Sequence, residues 1–430
     1  MKKINTSPIS GAQELLPEQQ ATFNNLKNKI GEVYHAHGFL SIETPVIDRT
    51  EILFAKAGGD TEKQVYKVVK TAESADEADQ ALRFDHTVPL ARYVVEHESN
   101  LSFPFKVTQI GRNFRGERAQ KGRFREFYQC DVDVIGRGSL PLAYDADVIT
   151  TLLDAFSKFE LGTPVLPRIN NRKILNGLLS ALGLGAKSQV VFDVIDHAEK
   201  VPLATTRENL EAAGLSKNEI DKVVAFSNLH GSRDFVVKNL KNLGIEDELY
   251  NEGVDELDVV LGLVEAQGYQ AEADMKIVRG LDYYTGTVFE FVLPEYRGIG
   301  SVCGGGRYEN LTGNFTEQKM PGVGGSIGLT RLFFVLSESG LIKNRVEKPL
   351  DYMVVPISNN EVDYAFEMAQ KIREKGHKVD VALIDKKLGD KLTYAAKIAK
   401  CGIVIGEDEV KSGALKVKDF ETGETTELNI

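Results

Sequence analysis

Guanidinium groups crowd into one short stretch of this sequence, Gly111-Arg-Asn-Phe-Arg-Gly-Glu-Arg-Ala-Gln-Lys-Gly-Arg-Phe-Arg-Glu-Phe-Tyr-Gln129. Between Lys106 and Arg125 stand Arg112, Arg115, Arg118, Lys121 and Arg123, opposed only by Glu117. Planar guanidiniums held in fixed positions offer bidentate donors, the arrangement that suits a polyphosphate. Phe127 could stack on a base, and Glu117 could hold an exocyclic amine or a magnesium ion. A second cluster, Val278-Arg-Gly-Leu-Asp-Tyr-Tyr-Thr-Gly-Thr-Val-Phe-Glu290, sets an arginine and an aspartate beside adjacent tyrosines. On a strand those tyrosines would point to opposite faces, and the set could read a small polar ligand. A third feature is two glycine runs, Gly304-Gly-Gly-Arg-Tyr308 and Gly324-Gly-Ser-Ile-Gly-Leu-Thr-Arg331. Glycine runs in strands mark close backbone approach by a ligand or a bulged strand with turns. Neither run has the spacing of a Walker phosphate loop or a dinucleotide-binding fingerprint.

The elements that must position these residues follow from periodicity. Residues 18–37 carry apolar side chains at helical spacing (Phe23, Leu26, Ile30, Val33, Tyr34), with Pro17 at the start and Gly38 at the end. Extended segments are expected at 39–47, 64–69, 80–84, 105–111 and 127–135. The last two, joined through 113–123, read as a long-looped antiparallel hairpin. Helical patterns fill about 172–268, strands return at 275–278 and 287–292, and a Gly-rich strand-turn follows at 302–308. A second Gly-rich run at 321–328 leads into a helix over 329–336. After the polar stretch 339–348, the order β-α-β-α-β-β implies an α/β domain with a parallel core.

Size and composition bound the rest. A chain of 430 residues is long for one core, and 42% hydrophobic with 27% charged residues is ordinary for a folded soluble protein. No apolar stretch approaches the ~20 residues of a membrane span, and no secretory leader is expected at the N-terminus. The three cysteines are scattered, which fits a reducing, cytoplasmic compartment and no structural zinc site. The net charge of −11 does not suggest a nucleic-acid binder, so any such contact must rest on a local basic patch.

Together the three clusters resemble the signatures of class II aminoacyl-tRNA synthetases, and Arg279-Gly-Leu-Asp-Tyr-Tyr284 is similar to the peptide peculiar to histidyl-tRNA synthetases. The resemblance covers essentially the whole chain. Pro45, after Gly38-Phe39, resembles the dimer-forming motif 1, the Arg115 hairpin motif 2, and 324–331 motif 3. The implied fold is α+β and multidomain: a class II synthetase-like antiparallel sheet with flanking helices over 1–170 and 269–338, a helical insertion at 171–268, a linker at 339–349, and a C-terminal α/β anticodon-binding domain at 350–430.

The implied activity is that of a histidine–tRNA ligase, which adenylates histidine with ATP and transfers it to the 3′ end of tRNA-His. The resemblance assigns Arg115 and Arg279 to catalysis at the α-phosphate. Arg115, Glu117, Arg123, Phe127 and Arg331 fall to ATP, with Phe127 and Arg331 on the two faces of adenine. For histidine it implies Asp85, Thr87 and Gln129 at the ammonium group, Asp133 and Tyr284 at the imidazole, with Arg115, Arg279 and Tyr283 alongside. Such a hydrogen-bonding pocket rejects analogues better than an apolar one. No general base is needed, because the attacking carboxylate is already an anion. Arg118, Gln120 and Lys121 are candidates for the tRNA acceptor end. Magnesium is expected with ATP, and Glu290 is its candidate ligand; no other protein metal site is implied. A homodimer is expected through the Pro45 region. The seven histidines carry no assigned role, and His86 reads as a satisfied or surface side chain.

The loop 118–123 resembles bacterial members, whereas 82–87 and 128–133 look like the eukaryotic and archaeal branch. The alternative reading is the non-catalytic regulatory paralogue that serves ATP-phosphoribosyltransferase; such paralogues usually lack the C-terminal domain and parts of the histidine peptide, both present here. Threonyl and prolyl synthetases share the anticodon-domain type, but the Arg-Gly-Leu-Asp-Tyr-Tyr peptide speaks against them.

Overall fold

Gln129, Asp131 and Asp133 alternate with Cys130, Val132 and Val134, so an extended chain here must have one polar and one apolar face. The computed structural model, which describes residues 4–55, 63–72, 74, 78–118, 120–278, 283–342 and 348–428, makes this strand an interior strand of the largest sheet among the described residues. The chain divides into two compact units, Met1–Asn344 and Arg345–Ile430.

In the first unit the strands are β1 (Leu40–Ser41), β2 (Ile47–Arg49), β3 (Lys67–Val68), β4 (Gln80–Leu82), β5 (Phe105–Phe114) and β6 (Glu126–Ile135). They continue with β7 (Leu166–Asn171), β8 (His230–Gly231), β9 (Glu272–Asp274), β10 (Tyr284–Val292), β11 (Cys303–Tyr308) and β12 (Gly322–Ile327). Nine of them form one sheet in the order β1-β5-β6-β12-β11-β10-β7-β9-β8. Its centre is antiparallel, and parallel pairs occur at β1 with β5 and β7 with β9. A small sheet, β2-β4-β3, stands apart from it.

The apolar face of β6 buries Cys130, Val132 and Val134 in the main core, with helix Pro17–Ala36 and helix Ala143–Ser157. The second of these helices carries no sequence expectation. Its buried run of Ala146, Val148, Ile149, Leu152, Leu153, Ala155 and Phe156 wraps most of its circumference, so no amphipathic period marks it. The helical patterns of the middle region become helices such as Arg172–Ala181 and Glu248–Ala266, whose buried residues join the same core.

Three expectations are corrected. Residues 275–278 form no strand: β9 ends at Asp274 and a turn follows. The segment 64–69 shortens to Lys67–Val68. The glycine runs are regular strands rather than turns: Gly304, Gly305 and Gly306 pair with Ser326, Gly325 and Gly324. The reason is steric. A Cβ at Gly305 would lie 2.2 Å from the Gly324 carbonyl oxygen and 2.4 Å from the Phe289 ring, and one at Gly325 2.6 Å from Leu152. The rings and backbone of neighbouring strands fill the space a side chain would need.

The second unit has a five-stranded sheet, β14-β13-β15-β16-β17, where β13 is Leu350–Pro356, β14 Val379–Val381, β15 Ala399–Ile405, β16 Leu415–Asp419 and β17 Thr425–Leu428. The first three are parallel, as β-α-β alternation requires, and helices Val362–Glu374 and Leu388–Ile398 connect them.

Arg307, grouped by sequence with the glycine run, belongs to the interior. It is 5% exposed and binds Asp145 through Nε (3.1 Å to each carboxylate oxygen) and Nη2 (2.7 Å). It also donates to the Leu140 and Pro141 carbonyls, both at 3.2 Å. Removing one partner of a buried pair strands the other charge. Arg307→Leu is therefore expected to cost about 3–5 kcal/mol in chemical denaturation, and the Arg307→Leu/Asp145→Leu double variant to cost less than the single.

Candidate functional site

The polar face of β6 lies open above the sheet, and β5, β12, β11 and β10 extend it on either side. Two cavities sit on this face. The first, of about 250 Å³, is lined by Asp85, Thr87, Arg115, Gln129, Asp131, Asp133, Tyr283, Tyr284 and Tyr308 with the glycines of β11 and β12. The second, of about 420 Å³, is lined by Arg115, Glu117, Arg123, Phe127, Arg331 and neighbours from the motif-like helix. Arg115, Gln129, Glu290, Gly304 and Ser326 line both and mark the passage between them.

The two cavities differ in charge. In the first, Asp85, Asp131, Asp133 and Glu290 face one described cation, Arg115. Burial, helped by the neighbouring Asp131 charge, pushes the Asp133 carboxyl up from its ordinary 3.8 to about 8, against a hydrogen bond from the Tyr308 hydroxyl at 3.0 Å. Burial also raises Asp85, although Oδ1 accepts from the Val88 N–H at 3.1 Å and so caps helix Thr87–Glu96. Such a pocket is complementary to a ligand that carries positive charge and hydrogen-bond donors. The glycines set its floor: a Cβ at Gly324 would stand 2.0 Å from Asp133 Oδ1, and one at Gly306 3.0 Å from the Tyr284 ring.

The second cavity is cationic. Arg115 is held between aromatic rings, its guanidinium carbon 4.3 Å from the Phe84 centroid and 5.1 Å from that of Phe127. Its Nε donates to the Phe84 carbonyl at 3.3 Å. Arg123 bonds Glu117 at 3.4 Å across the hairpin. Arg331 projects from helix Leu329–Glu338 and donates to the Ile299 carbonyl at 2.9 Å; burial, and then the charge of Arg123, lowers its pKa. Two arginines pressed together beside Arg115 form a receptor for a multiply charged anion. The Thr330 hydroxyl accepts from the Tyr128 N–H at 2.8 Å and docks that helix on β6.

The structure thus gathers Asp85, Thr87, Gln129, Asp133, Tyr283 and Tyr284 in the first cavity, and Glu117, Arg123, Phe127 and Arg331 in the second. Arg115 is common to both. Arg279 lies outside the described residues. Arg118, Gln120 and Lys121 line neither cavity; they are exposed on the hairpin tip, and Lys121 pairs with Glu338 at 2.9 Å. Tyr283 and Tyr284 do not face opposite ways. The strand begins only at Tyr284, and the two rings pack edge to face at 5.0 Å on the same cavity.

Three polar lining residues escaped the sequence reading: Asp131, Tyr308 and Ser326. Asp131 was detectable, because it alternates with Gln129 and Asp133 on one strand face. Ser326 pairs with Asp131 across β6 and β12, a register no local pattern specifies. Of the two readings open for His86, satisfied or surface, burial decides against the second: it is 1% exposed and its Nδ1 lies 2.9 Å from Asp131 Oδ2.

Comparisons with known proteins bear on the family and the fold. Residues 11–332 match the family model described as Histidyl-tRNA synthetase, and 351–430 match that of the Anticodon binding domain. A histidine–tRNA ligase of Clostridium tetani is 44% identical over 438 residues, covering 100% of this chain and 98% of that protein. The crystal structure of histidyl-tRNA synthetase from Nostoc sp. PCC 7120 superposes with a TM-score of 0.88 at 37% identity, covering 99% of this chain and 97% of that one. A Bacillus halodurans chain described as an ATP phosphoribosyltransferase regulatory subunit/histidyl-tRNA synthetase shares the fold, with a TM-score of 0.76 at 22% identity over 91% of this chain and 97% of that one. Matched along both units by family models and by full-length relatives, the chain belongs to the histidyl-tRNA synthetase family.

Proposed function

We propose that this chain is a histidine–tRNA ligase in which the anionic cavity takes histidine and the cationic cavity takes ATP. The observation that carries this reading is the opposite charge of two cavities that meet at Arg115. In the first cavity Asp85, Thr87 and Gln129 hold the ammonium group, while Asp133 and Tyr284 read the imidazole nitrogens, one a donor and the other an acceptor. Tyr283 packs beside them. The substrate carboxylate then faces the passage, where Arg115 bridges it to the α-phosphate.

The carboxylate oxygen attacks the α-phosphorus, the bond to the bridging oxygen breaks, and pyrophosphate leaves. Arg115 stabilises charge on the α-phosphate without reorganising; from sequence, Arg279 shares this role. Phe127 and Arg331 flank adenine, and Arg123 and Glu117 complete the ATP side. The 3′-hydroxyl of tRNA-His next attacks the adenylate carbonyl and AMP leaves, with Arg118, Gln120 and Lys121 near the acceptor end.

Among the described residues no group of three or more His, Cys, Asp or Glu side chains could hold a metal ion. Glu290 lines both cavities and Glu117 the second, a donor set that fits magnesium carried by ATP phosphates with few protein ligands. Bound there, the ion would offset phosphate charge. A homodimer through the Pro45 region is supported by Leu40 and Ile47, which are 62% and 45% exposed on either side of it. The helical segment 171–268 acts as the family's insertion, and 350–430 as the anticodon-binding domain. The setting is the cytoplasm; no helix among the described residues is long and apolar enough to cross a membrane.

ATP–pyrophosphate exchange with each amino acid in turn, without tRNA, tests this reading. Exchange with histidine alone is expected. Exchange with another amino acid breaks the pocket assignment, and none from folded protein favours a non-catalytic role. Gly324→Ala, which puts a methyl group into the Asp133 carboxylate, is expected to abolish histidine-dependent exchange, with ATP binding in equilibrium titration unchanged. Arg279→Ala is expected to remove several kcal/mol of transition-state stabilisation from adenylation, with a smaller effect on histidine binding.

A further inference from the structure

His86 is buried beside the histidine pocket without reaching it, and among the described residues its ring makes one polar contact, with Asp131 through Nδ1 at 2.9 Å. Its Nε2 is buried without a partner. From Asp131 a chain of hydrogen bonds continues into the pocket. The Ser326 hydroxyl donates to Asp131 Oδ1, Gln129 Nε2 donates to Ser326 Oγ at 2.7 Å, and Asn113 Nδ2 donates to Gln129 Oε1 at 2.8 Å.

The direction of that chain follows from Asp131. An ionised carboxylate only accepts, so Ser326 must spend its single proton on it. Ser326 can then only accept on its other side, so the nitrogen end of Gln129 faces Ser326. The Gln129 oxygen takes one bond from Asn113 and keeps a second lone pair for the cavity. Were the Asp131 carboxylate free to turn away, Ser326 would no longer have to donate to it. The serine hydroxyl would then turn to donate onward, and Gln129 would have to present oxygen to Ser326 and its NH2 group elsewhere. A donor would face the ligand where an acceptor had been.

Two further buried carboxylates, Asp85 and Asp133, line the same cavity and oppose the charge on Asp131. The counterweights include the Ser326 hydroxyl, the His86 N–H and the charge of the buried Arg83. We propose that His86 is a positioning residue for the amino-acid substrate: its hydrogen bond fixes the Asp131 carboxylate against Ser326 and thereby holds the Gln129 amide with its oxygen toward the ligand's ammonium group. This rests on the reading of the first cavity as the amino-acid pocket and of Gln129 as an ammonium acceptor.

Steady-state exchange kinetics of the full chain test it. His86→Leu is expected to raise the KM for histidine roughly tenfold or more, with kcat and the KM for ATP little changed. Asn places an amide N–H where His86 carries Nδ1, whereas Gln places one nearer Nε2. His86→Asn is therefore expected to restore the KM and His86→Gln to leave it raised, a split that loss of packing alone would not produce. Combined with Gln129→Ala, His86→Leu should add nothing to the effect of Gln129→Ala. Should the leucine variant not fold, Ser326→Ala cuts the chain one link further on and carries the same expectation. Equal KM values for the Asn and Gln variants, an unchanged KM in His86→Leu, or additive effects with Gln129→Ala would overturn the role of His86. An unchanged KM in Gln129→Ala itself would overturn instead the reading of Gln129.

Discussion

Three buried carboxylates that line one cavity, Asp85, Asp131 and Asp133, set the terms for the rest of this molecule. Like charges in a low-dielectric setting cannot all stay ionised without compensation. Each finds a different remedy. Asp85 caps a helix, Asp131 receives His86 and Ser326, and Asp133 carries its proton well into the neutral range. A ligand that brings a cation and hydrogen-bond donors relieves what the protein alone does not.

The sheet makes the crowding possible. Alternation on β6 sends Gln129, Asp131 and Asp133 to one face while Cys130, Val132 and Val134 anchor the strand in the core behind. The glycines of β11 and β12 leave the pocket floor bare and let Phe289 and Leu152 press up against the backbone from the core side. Further along the same face the hairpin loop and helix Leu329–Glu338 bring arginines together, so the sign of the charge reverses within one groove. Such a reversal suits adenylation, which brings a molecule with an ammonium group against a polyphosphate and transfers the adenylyl group to its carboxylate.

Much of this was legible in the sequence. The β5–β6 hairpin follows from alternation and an Arg-rich loop, and the C-terminal unit from β-α-β periodicity; both patterns are local. The glycine runs misled, because glycine signals a turn locally, while here it answers to rings and backbone of other strands. Helix Ala143–Ser157 left no amphipathic signature because it is buried nearly all round. The candidate site was legible where residues lie on recognisable peptides. Asp131 could have been found by its alternation with Gln129 and Asp133, but Ser326, Tyr308 and His86 depend on cross-strand register and long-range packing, which one sequence without structure does not specify.

The protonation of Asp133 tests the central claim most directly. With carboxyl-labelled aspartate, the resonance lost in Asp133→Asn can be followed by ¹³C NMR as pH is varied, without and with histidine. The account predicts a midpoint about 8 in the empty protein, moving lower when histidine's positive charge enters the pocket. A midpoint in the ordinary aspartate range near 4, unmoved by histidine, would contradict it.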